Sequence, residues 1–427
     1  MKNNLLVYPF NATKKGDTVV PFFSPQLGVE EIEEVVATLR SGWLTTGPQV
    51  KNFEQEFAER VNAKYAVALN SCTAALHLAV EAVGLSEGQA VLVPSMTFAA
   101  TAEIIQYKGA TPILVDCDPI TGNIDLSDAE SKIALFRNGK LPVSGDSGSQ
   151  VVGIIPVHVG GYMVDINDIA DFAKRHGLWV IEDAAHAFPA AYRRNSDEPW
   201  QQCGENTALV TCYSFYANKT ITTGEGGMAV TDDKEIADRI RLMSLHGLSH
   251  DAWGRYSGGS WDYRIVHPGY KYNLTDIAAA IGRCQLARAE EMRRHREAIA
   301  EFYLASLAGV SEIELPPTNE NRVHSWHLFP IRLKLDDLSI TRNDFMEEMK
   351  KRGVNCSVHW RPLHMHPLYM ERFGWNETHF PMATQMWPRI VSLPIFSAMS
   401  LEQTMHVVDT VKNVCAEFAA RRMSVVA

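Results

Sequence analysis

The chain has 427 residues, of which 46% are hydrophobic, so it can bury a large core in two domains or in one large domain with a lobe. Its 40 basic and 50 acidic residues give a net charge of -10 without any dense run of lysine and arginine, which argues against nucleic acid as a partner. No apolar run approaches the roughly 18 to 20 residues that cross a bilayer, and the start lacks the long apolar stretch of a secretory signal. We therefore expect a globular, cytoplasmic protein with no membrane partner.

From about residue 28 to residue 290, β-branched runs alternate with helical patterns, which is typical of a mainly parallel sheet covered by helices. A first helix that ends before Gly42 is predicted from four apolar residues with the spacing of one buried face: Ile32, Val35, Val36 and Leu39. Seven strands are predicted at 65–69, 90–93, 112–116, 151–155, 179–183, 209–213 and 227–231. Helices are predicted between them at 74–83, 101–108, 166–175 and 234–244. The pattern indicates an α/β fold.

After about residue 281 the pattern changes to a long charged helix, predicted over 283–307, and then to a mixed segment. We predict a large domain over residues 1–290 and a smaller α+β domain over residues 291–427. Two stretches have the composition of surface insertions, namely 137–150, which is rich in glycine and serine, and 193–206.

The most informative segment runs from Tyr213 to Val230 and contains Lys219 between a predicted strand end and a glycine-rich turn. In an α/β fold this position stands at the mouth of the sheet, where such proteins bind their ligands. A lysine is ordinarily a solvated surface residue, but this context favours an amine that reacts with a bound cofactor.

Residues 214–227, with the letters SFYANKTITTGEGG, resemble the cofactor-lysine motif of the DegT/DnrJ/StrS sugar aminotransferases, a family with the PLP-dependent transferase fold of type I. The resemblance covers nearly the whole chain. It implies pyridoxal 5'-phosphate (PLP) as the cofactor, Lys219 as the catalytic residue that bonds to it, and Ser214 as a contact of its phosphate. A dehydratase branch of the family has histidine in place of this lysine, so Lys219 indicates an aminotransferase.

A second motif, 180–187, ends a predicted strand at Asp183 and continues to His186. PLP withdraws electrons only while its ring nitrogen is protonated, and a neighbouring carboxylate stabilises that proton by Coulomb attraction. By the resemblance, Asp183 is this carboxylate and His186 lies near the phenolic oxygen of the ring. The alternatives are a helix cap for Asp183 and a hydrogen-bonded structural histidine for His186.

Small residues at 69–73 stand where a predicted strand turns into a helix, and the N–H groups at a helix start form an anion site. In the family, the residues that match Cys72 and Thr73 supply N–H groups to the cofactor phosphate. The resemblance also implies that Phe98 stacks on the cofactor ring, at a position where the most similar members have tryptophan. Without the family, Phe98 would be interpreted as a core residue.

The segment 268–282 resembles the family element that reaches the cofactor phosphate of the neighbouring subunit. Many members have Asn-Tyr-Arg where this chain has Lys271, Tyr272 and Asn273, so the contact falls to either Lys271 or Asn273. A cation suits a phosphate, which favours Lys271. This element implies a homodimer with shared active sites.

The segments 41–48, 324–329 and 359–364 resemble family segments that line the sugar-nucleotide pocket, and they contribute the substrate-binding candidates Trp43, Thr45, His327 and His359. Without the family, the histidines would suggest a metal site. No carboxylate or cysteine stands at ligand spacing, so we predict no metal. The seven cysteines are scattered, and we expect them to be reduced and mostly structural.

The resemblance implies that the enzyme moves the amino group of L-glutamate to a keto sugar carried on a nucleotide. Segments 41–48, 246–260 and 324–329 are similar to the branch of the family that makes UDP-4-amino-4-deoxy-L-arabinose, which favours a UDP-linked 4-keto sugar for a surface polysaccharide or lipid. Three alternatives stay open. They are a dTDP-linked 3-keto sugar, a non-catalytic sensor of the same fold, and a PLP lyase that binds an amino-acid carboxylate through Arg361 or Arg389.

Overall fold

The computed structural model describes residues 19–143, 149–205, 208–248 and 264–420. Its strands in chain order are β1 (Tyr65–Leu69), β2 (Gln89–Pro94), β3 (Thr111–Val115), β4 (Gln150–Ile154), β5 (Trp179–Asp183), β6 (Ala191–Tyr192), β7 (Gln201–Gln202), β8 (Val210–Ser214), β9 (Gly227–Thr231), β10 (Ile313–Glu314), β11 (Arg322–Val323), β12 (Phe329–Leu333) and β13 (Ile390–Leu393).

A central seven-stranded sheet has the order β1-β9-β8-β5-β4-β2-β3. The strands from β8 to β3 in this order are parallel, whereas β9 runs antiparallel to β1 and β8. Most residues of these strands are buried, as expected where other elements cover both faces of a sheet. The predicted α/β fold with a mainly parallel seven-stranded sheet is confirmed.

The helices are α1 (Val29–Ser41), α2 (Pro48–Arg60), α3 (Cys72–Ala82), α4 (Ala100–Tyr107), α5 (Leu126–Arg137), α6 (Ile166–His176), α7 (Lys234–Ser244), α8 (Asp276–Ala287), α9 (Ala289–Leu307), α10 (Arg342–Lys351), α11 (Pro367–Phe373), α12 (Pro381–Met386) and α13 (Leu401–Glu417). Within the described ranges, none of these helices combines the length and the apolar composition that crossing a bilayer requires.

The predicted buried face of α1 is wrong. Ile32 and Leu39 are 63% and 50% exposed, whereas Glu31 is buried. The carboxylate of Glu31 accepts a hydrogen bond from the N–H of Gly28 at 2.6 Å and pairs with the guanidinium of Arg288. A carboxylate with these partners occupies the inner face of α1. Ile32 and Leu39 lie on its outer side, and Val35 and Val36 are half-buried.

The single helix predicted over 283–307 is also wrong, because the chain forms two helices, α8 and α9, that meet at Arg288. The backbone of Arg288 has φ -106° and ψ 5°, outside the helical region. No glycine or proline marks this break, so the sequence pattern contained no signal for it. The prediction also missed α2, which has Pro48 at its first position, and α5, which is capped by Asp125.

Two hydrophobic cores are present in the described chain. The first surrounds the central sheet, and the second joins α9, α10 and α13 to the antiparallel sheet β10-β12-β13. These cores support the proposed division near residue 290. Two segments cross it, since Val20 packs in the second core, whereas Leu363 and Phe380 pack in the first.

The two predicted insertions are described in part, because residues 144–148 and 206–207 lie outside the described ranges, as do residues 249–260 of the segment 246–260. The second insertion follows β6 directly and contains β7, and both strands belong to a small sheet with β11. In it, the guanidinium of Arg193 lies 4.6 Å from the ring centre of Trp200. Arg193 also donates to Asn321 at 3.0 Å, which ties the insertion to the chain just before β11.

Candidate active site

A cavity of about 380 Å³ lies where the chain leaves the ends of β1, β2, β5 and β8, which is the usual ligand position in α/β sheets. Histidines from the C-terminal part of the chain close it. It is lined by nearly all of the predicted site residues, namely Cys72, Thr73, Phe98, Asp183, His186, Ser214, Lys219, His327 and His359.

Lys219 lies in the turn between β8 and β9, where its N–H donates to the carbonyl of Tyr216 at 2.9 Å. Its Nζ is 3.5 Å from Nε2 of His327. Burial lowers the pKa of Lys219 from an ordinary 10.5 to about 8, although the neighbouring Cys72 and Asp183 oppose the shift. The amine therefore has a substantial neutral fraction near pH 8, and only a neutral amine acts as a base or a nucleophile.

Asp183 is the last residue of β5, and its carboxylate is buried at the floor of the cavity. Oδ1 accepts from the N–H of Ala185 at 3.1 Å, and Oδ2 accepts from the hydroxyl of Thr101 at 2.7 Å. Burial raises the pKa of Asp183, while these two hydrogen bonds and the charge of Lys219 lower it. No helix begins directly after Asp183 in the described chain, so the alternative of a helix cap is wrong.

Two neutral imidazoles stand beside the lysine. Nδ1 of His186 accepts from the N–H of Gly160 at 3.3 Å, which assigns its ring hydrogen to Nε2. The rings of His186 and His327 are 4.2 Å apart. Burial lowers the pKa of both histidines well below the ordinary value, and the positive charge of Lys219 lowers it further.

The turn that was predicted to bind an anion is the start of α3. Ser71 caps the helix by accepting from the N–H of Ala74 at 3.1 Å, and Cys72 and Thr73, which precede Ala74 in this first turn, line the cavity. Gly227 at the beginning of β9 packs directly against this turn, because a Cβ atom there would lie 2.4 Å from the carbonyl carbon of Ser71. A glycine is therefore required for β9 to approach the start of α3.

Aromatic side chains form the opposite wall. Phe98 lines the cavity but is 62% exposed, so it is not a core residue in this chain. Trp360 stacks on His186 with ring centres 5.0 Å apart, and the sequence analysis did not single it out. His359 donates to or accepts from the hydroxyl of Ser392 at 2.9 Å and stacks on Phe22 at 5.4 Å. Burial lowers the pKa of His359 to about 4.

Among the described residues, the predicted contacts Trp43, Thr45 and Lys271 do not line the cavity that holds Lys219. These residues belong to two segments, 43–46 and 271–276, that contact each other. The N–H of Asp276 in the second segment donates to the carbonyl of Thr45 in the first at 3.2 Å. Asn273 joins the two segments. Its Oδ1 accepts from Nζ of Lys271, and its Nδ2 donates to the hydroxyl of Thr46 at 2.7 Å.

The arginines considered for a lyase are placed elsewhere as well. Arg389 donates to the carbonyl of Leu333 at 2.9 Å and pairs with Glu314, away from the cavity. In the part of the chain that the structure describes, neither Arg389 nor Arg361 lines the cavity. This placement gives no support to an amino-acid lyase.

Three potential metal ligands, His158, Glu182 and Cys203, have ligand atoms within 4.8 Å of one another, a cluster that the sequence spacing did not indicate. Nδ1 of His158 accepts from the N–H of Val164 at 3.3 Å, so Nε2 carries the hydrogen and faces Glu182 at 3.5 Å. Thr211 donates to the same carboxylate oxygen at 3.1 Å. These hydrogen bonds explain the cluster as a buried structural network.

The sequence matches the DegT/DnrJ/EryC1/StrS aminotransferase family over residues 25–412. The chain belongs to this family. The spore coat polysaccharide biosynthesis protein SpsC of Bacillus subtilis is 40% identical to it over 403 residues, which cover 94% of this chain and 98% of SpsC.

Solved structures of sugar aminotransferases are also similar to this chain. Spr1654 from Streptococcus pneumoniae, a putative sugar aminotransferase, was solved in a pyridoxamine-phosphate form and in a PLP form. The pyridoxamine-phosphate form has a TM-score of 0.82 and 32% identity, covering 93% of this chain and 99% of that one. The sugar aminotransferase CalS13 of Micromonospora echinospora has a TM-score of 0.76 and 29% identity, covering 92% and 99%. This chain is thus a PLP-dependent sugar aminotransferase of fold type I.

The cavity has the chemistry that PLP requires. It contains an amine of lowered pKa at Lys219, a buried carboxylate at Asp183 and the N-terminus of α3. Three buried polar atoms beside the lysine also have no hydrogen-bond partner in the described chain, namely Oδ1 of Asn218, Oγ1 of Thr220 and Nδ1 of His327. Buried polar atoms without partners are uncommon, and a polar ligand would supply those partners.

Proposed function

We propose that this aminotransferase moves the amino group of L-glutamate to a UDP-linked 4-keto sugar, in the cytoplasm, for a polysaccharide or lipid of the cell surface. The observation that carries the proposal is the amine of Lys219, which has a lowered pKa and shares one cavity with the carboxylate of Asp183. The name of SpsC, a relative over nearly the whole chain, supports a role in polysaccharide synthesis.

In the proposed reaction, PLP supplies an aldehyde that takes up the amino group and a ring that withdraws electrons from the reacting carbon. The amine of Lys219 moves the proton at that carbon, because it is flexible and partly neutral near neutral pH. Asp183 would hold the proton at the ring nitrogen, and the Nε2–H of His186 would donate to the phenolic oxygen. The N–H groups of Cys72 and Thr73 and the hydroxyl of Ser214 would bind the phosphate.

The remaining contacts orient the ring and the sugar. Phe98 would stack on the cofactor ring, and Trp360 keeps His186 in place by stacking on it. His327 is buried, His359 is half-buried, and both are neutral, so they offer hydrogen bonds to sugar hydroxyls without attracting a second anion.

We propose that the enzyme is a homodimer in which Trp43, Thr45 and Lys271 serve the cavity of the partner subunit. Two observations support this. First, these residues lie together and outside the cavity of their own chain, among the described residues. Second, α1 presents an outward apolar face in which Ile32 and Leu39 are at least half exposed, and a second copy of the chain would cover it.

The substrate is tested by incubating the enzyme with L-glutamate and a panel of UDP- and dTDP-linked 3-keto and 4-keto sugars while 2-oxoglutarate and the amino sugar are measured. We expect a UDP-linked 4-keto sugar to be aminated fastest. A preference for a dTDP-linked 3-keto sugar would overturn the proposed substrate. If no sugar in the panel were aminated and none led to release of 2-oxoglutarate, the whole class of keto-sugar substrates would be overturned.

The same assay tests the catalytic lysine. We expect Lys219→Ala to lose turnover by at least about a thousandfold, because no other described amine lines the cavity. The matched control is Lys234→Ala, since Lys234 is a surface residue of α7 that pairs with Asp238. Turnover of Lys219→Ala equal to that of this control would remove the lysine from the mechanism.

A further inference from the structure

The carboxylate of Asp183 is connected to a second element of the fold through Thr101, which lies in the first turn of α4. Oδ2 accepts from the hydroxyl of Thr101 at 2.7 Å, a contact between residues 82 positions apart. Thr101 is fully buried, and among the described residues it does not line the cavity. Thr101 therefore acts on a ligand only indirectly, through the groups to which its hydroxyl is hydrogen-bonded.

The hydroxyl of Thr101 is itself hydrogen-bonded to a second hydroxyl, that of Thr97. Oγ1 of Thr97 is 2.7 Å from Oγ1 of Thr101, and both residues are buried. A hydroxyl has a single proton, and that of Thr101 is donated to the carboxylate, so Thr97 must donate to Thr101. The result is a directed chain from Thr97 through Thr101 to Asp183, in which each hydrogen bond polarises the next.

Asp183 needs this support because its surroundings otherwise disfavour its charge. Burial is the largest effect on its pKa and raises it, and the hydrogen bond from Thr101 is the largest effect that lowers it. The other groups that face the carboxylate are the N–H of Ala185, Lys219, His158 and two thiols, those of Cys72 and Cys212.

Thr101 also departs from the usual behaviour of a threonine in a helix. Such a hydroxyl commonly bonds to a backbone carbonyl of its own helix, as Thr404 of α13 does to Ser400 at 2.8 Å and Thr410 does to His406 at 2.7 Å. Thr101 instead points its hydroxyl to a different element. Thr404 is equally buried and far along the chain, so it provides a matched control.

We propose that Thr101, with Thr97 behind it, is a positioning residue of the transamination that keeps Asp183 ionised and oriented so that the cofactor's ring nitrogen stays protonated. The proposal rests on the proposed role of Asp183. It adds two residues to which the resemblance assigned no role, of which Thr97 lines the cavity and Thr101 does not, among the described residues.

The test is the 15N chemical shift of the ring nitrogen in holoenzyme loaded with PLP that is 15N-labelled at that atom. In Thr101→Val we expect the signal to move toward the unprotonated value and kcat to fall roughly 10- to 100-fold, because a hydrogen bond to a charged group is lost. Thr101→Ser keeps the hydroxyl and should restore the wild-type shift. Thr404→Val should leave both the shift and kcat unchanged.

Asp183→Asn separates the two levels of the proposal. If this variant moves the signal and Thr101→Val does not, the chain of hydroxyls is wrong and the role of Asp183 stands. If neither moves it, the role of Asp183 is wrong as well. Should Thr101→Val fail to fold, Thr97→Val tests the same chain from its far end, where we expect a smaller movement in the same direction and where an unchanged signal overturns the proposal.

Discussion

An exposed lysine is almost fully protonated at neutral pH, since its ordinary pKa is about 10.4. Burial lowers the pKa of Lys219 to about 8, so its neutral fraction rises through the range around pH 8 rather than above pH 10. Only the neutral amine attacks an aldehyde, so we expect the rate of covalent PLP uptake by the apoenzyme to rise with pH and to level off above about pH 8. Stopped-flow absorbance across this pH range measures it.

The control for this prediction is Nα-acetyl-lysine. The rate of its reaction with PLP should increase with pH with a midpoint near pH 10.4 under the same conditions. A midpoint for the enzyme that coincides with that of the free amine would contradict the shift that burial causes.

Sequence reasoning found residues of the site where local context was enough. Lys219 and Asp183 stand at strand ends, and the alternation of strands and helices brings such ends to one edge of the sheet. Trp360 and Thr101 were missed because their roles arise from packing between distant segments, as the contacts with His186 and Asp183 demonstrate. Nothing in the neighbouring letters distinguishes Thr101 from an ordinary helical threonine.

At the scale of elements, Arg296 joins α9 to two segments of the C-terminal part. Its Nε donates to the hydroxyl of Ser397 at 3.0 Å. Its Nη1 donates to the carbonyls of Trp326 and Ile395 at 3.1 and 3.0 Å. Trp326 has a left-handed backbone with φ 49°, which is uncommon for a large side chain. We expect Arg296→Met to lower the free energy of unfolding by about 2 to 4 kcal/mol, because it leaves buried acceptors without a donor.

Urea unfolding followed by circular dichroism tests this prediction against Arg294→Met on the same helix. Arg294 has a side chain that is 73% exposed, and it pairs with Glu290 at 3.2 Å. Exposed pairs contribute little, so this variant should change the free energy of unfolding by less than about 1 kcal/mol. Equal effects of the two variants would mean that Arg296 does not join these elements.

Strands were predicted more reliably than helices, and the reason is physical. A continuous apolar run of five residues, such as β1, is typical of a strand that is covered on both faces, so its position follows from hydrophobicity. The face of α1 was misjudged because its inner side is polar, with Glu31 held by Arg288. The break between α8 and α9 occurs at Arg288 without a helix-breaking residue, and it therefore left no local signal.

At the scale of the whole molecule, a single chain accounts for only part of the predicted site. Lys219 and Asp183 lie in one cavity, whereas Lys271 is bonded to Asn273 outside it, within the described residues. For Lys271 the family resemblance already implied the site of a neighbouring subunit, whereas for Trp43 and Thr45 it did not indicate which chain's cavity they serve. Under the proposed homodimer, all three residues complete the cavity of the partner subunit.

Shared sites predict that two inactive variants restore each other's activity. In a mixed dimer of Lys219→Ala and Lys271→Ala, one cavity would contain both substitutions and the other would contain neither. An equal mixture forms mixed dimers for about half of its molecules, each with one intact site, so activity should recover to about one quarter of wild type. The measurement is glutamate-dependent turnover after the two variants are co-expressed with different tags.

The control for the mixing experiment is a pair of variants altered at the same position, Lys219→Ala with Lys219→Arg, which leaves every cavity without its lysine and should recover nothing. If each chain instead completes its own site, every cavity in the first mixture has one defect, and that mixture should be as inactive as the control. Recovery near one quarter therefore requires that the amine of Lys219 and the cation of Lys271 in a working site come from different chains.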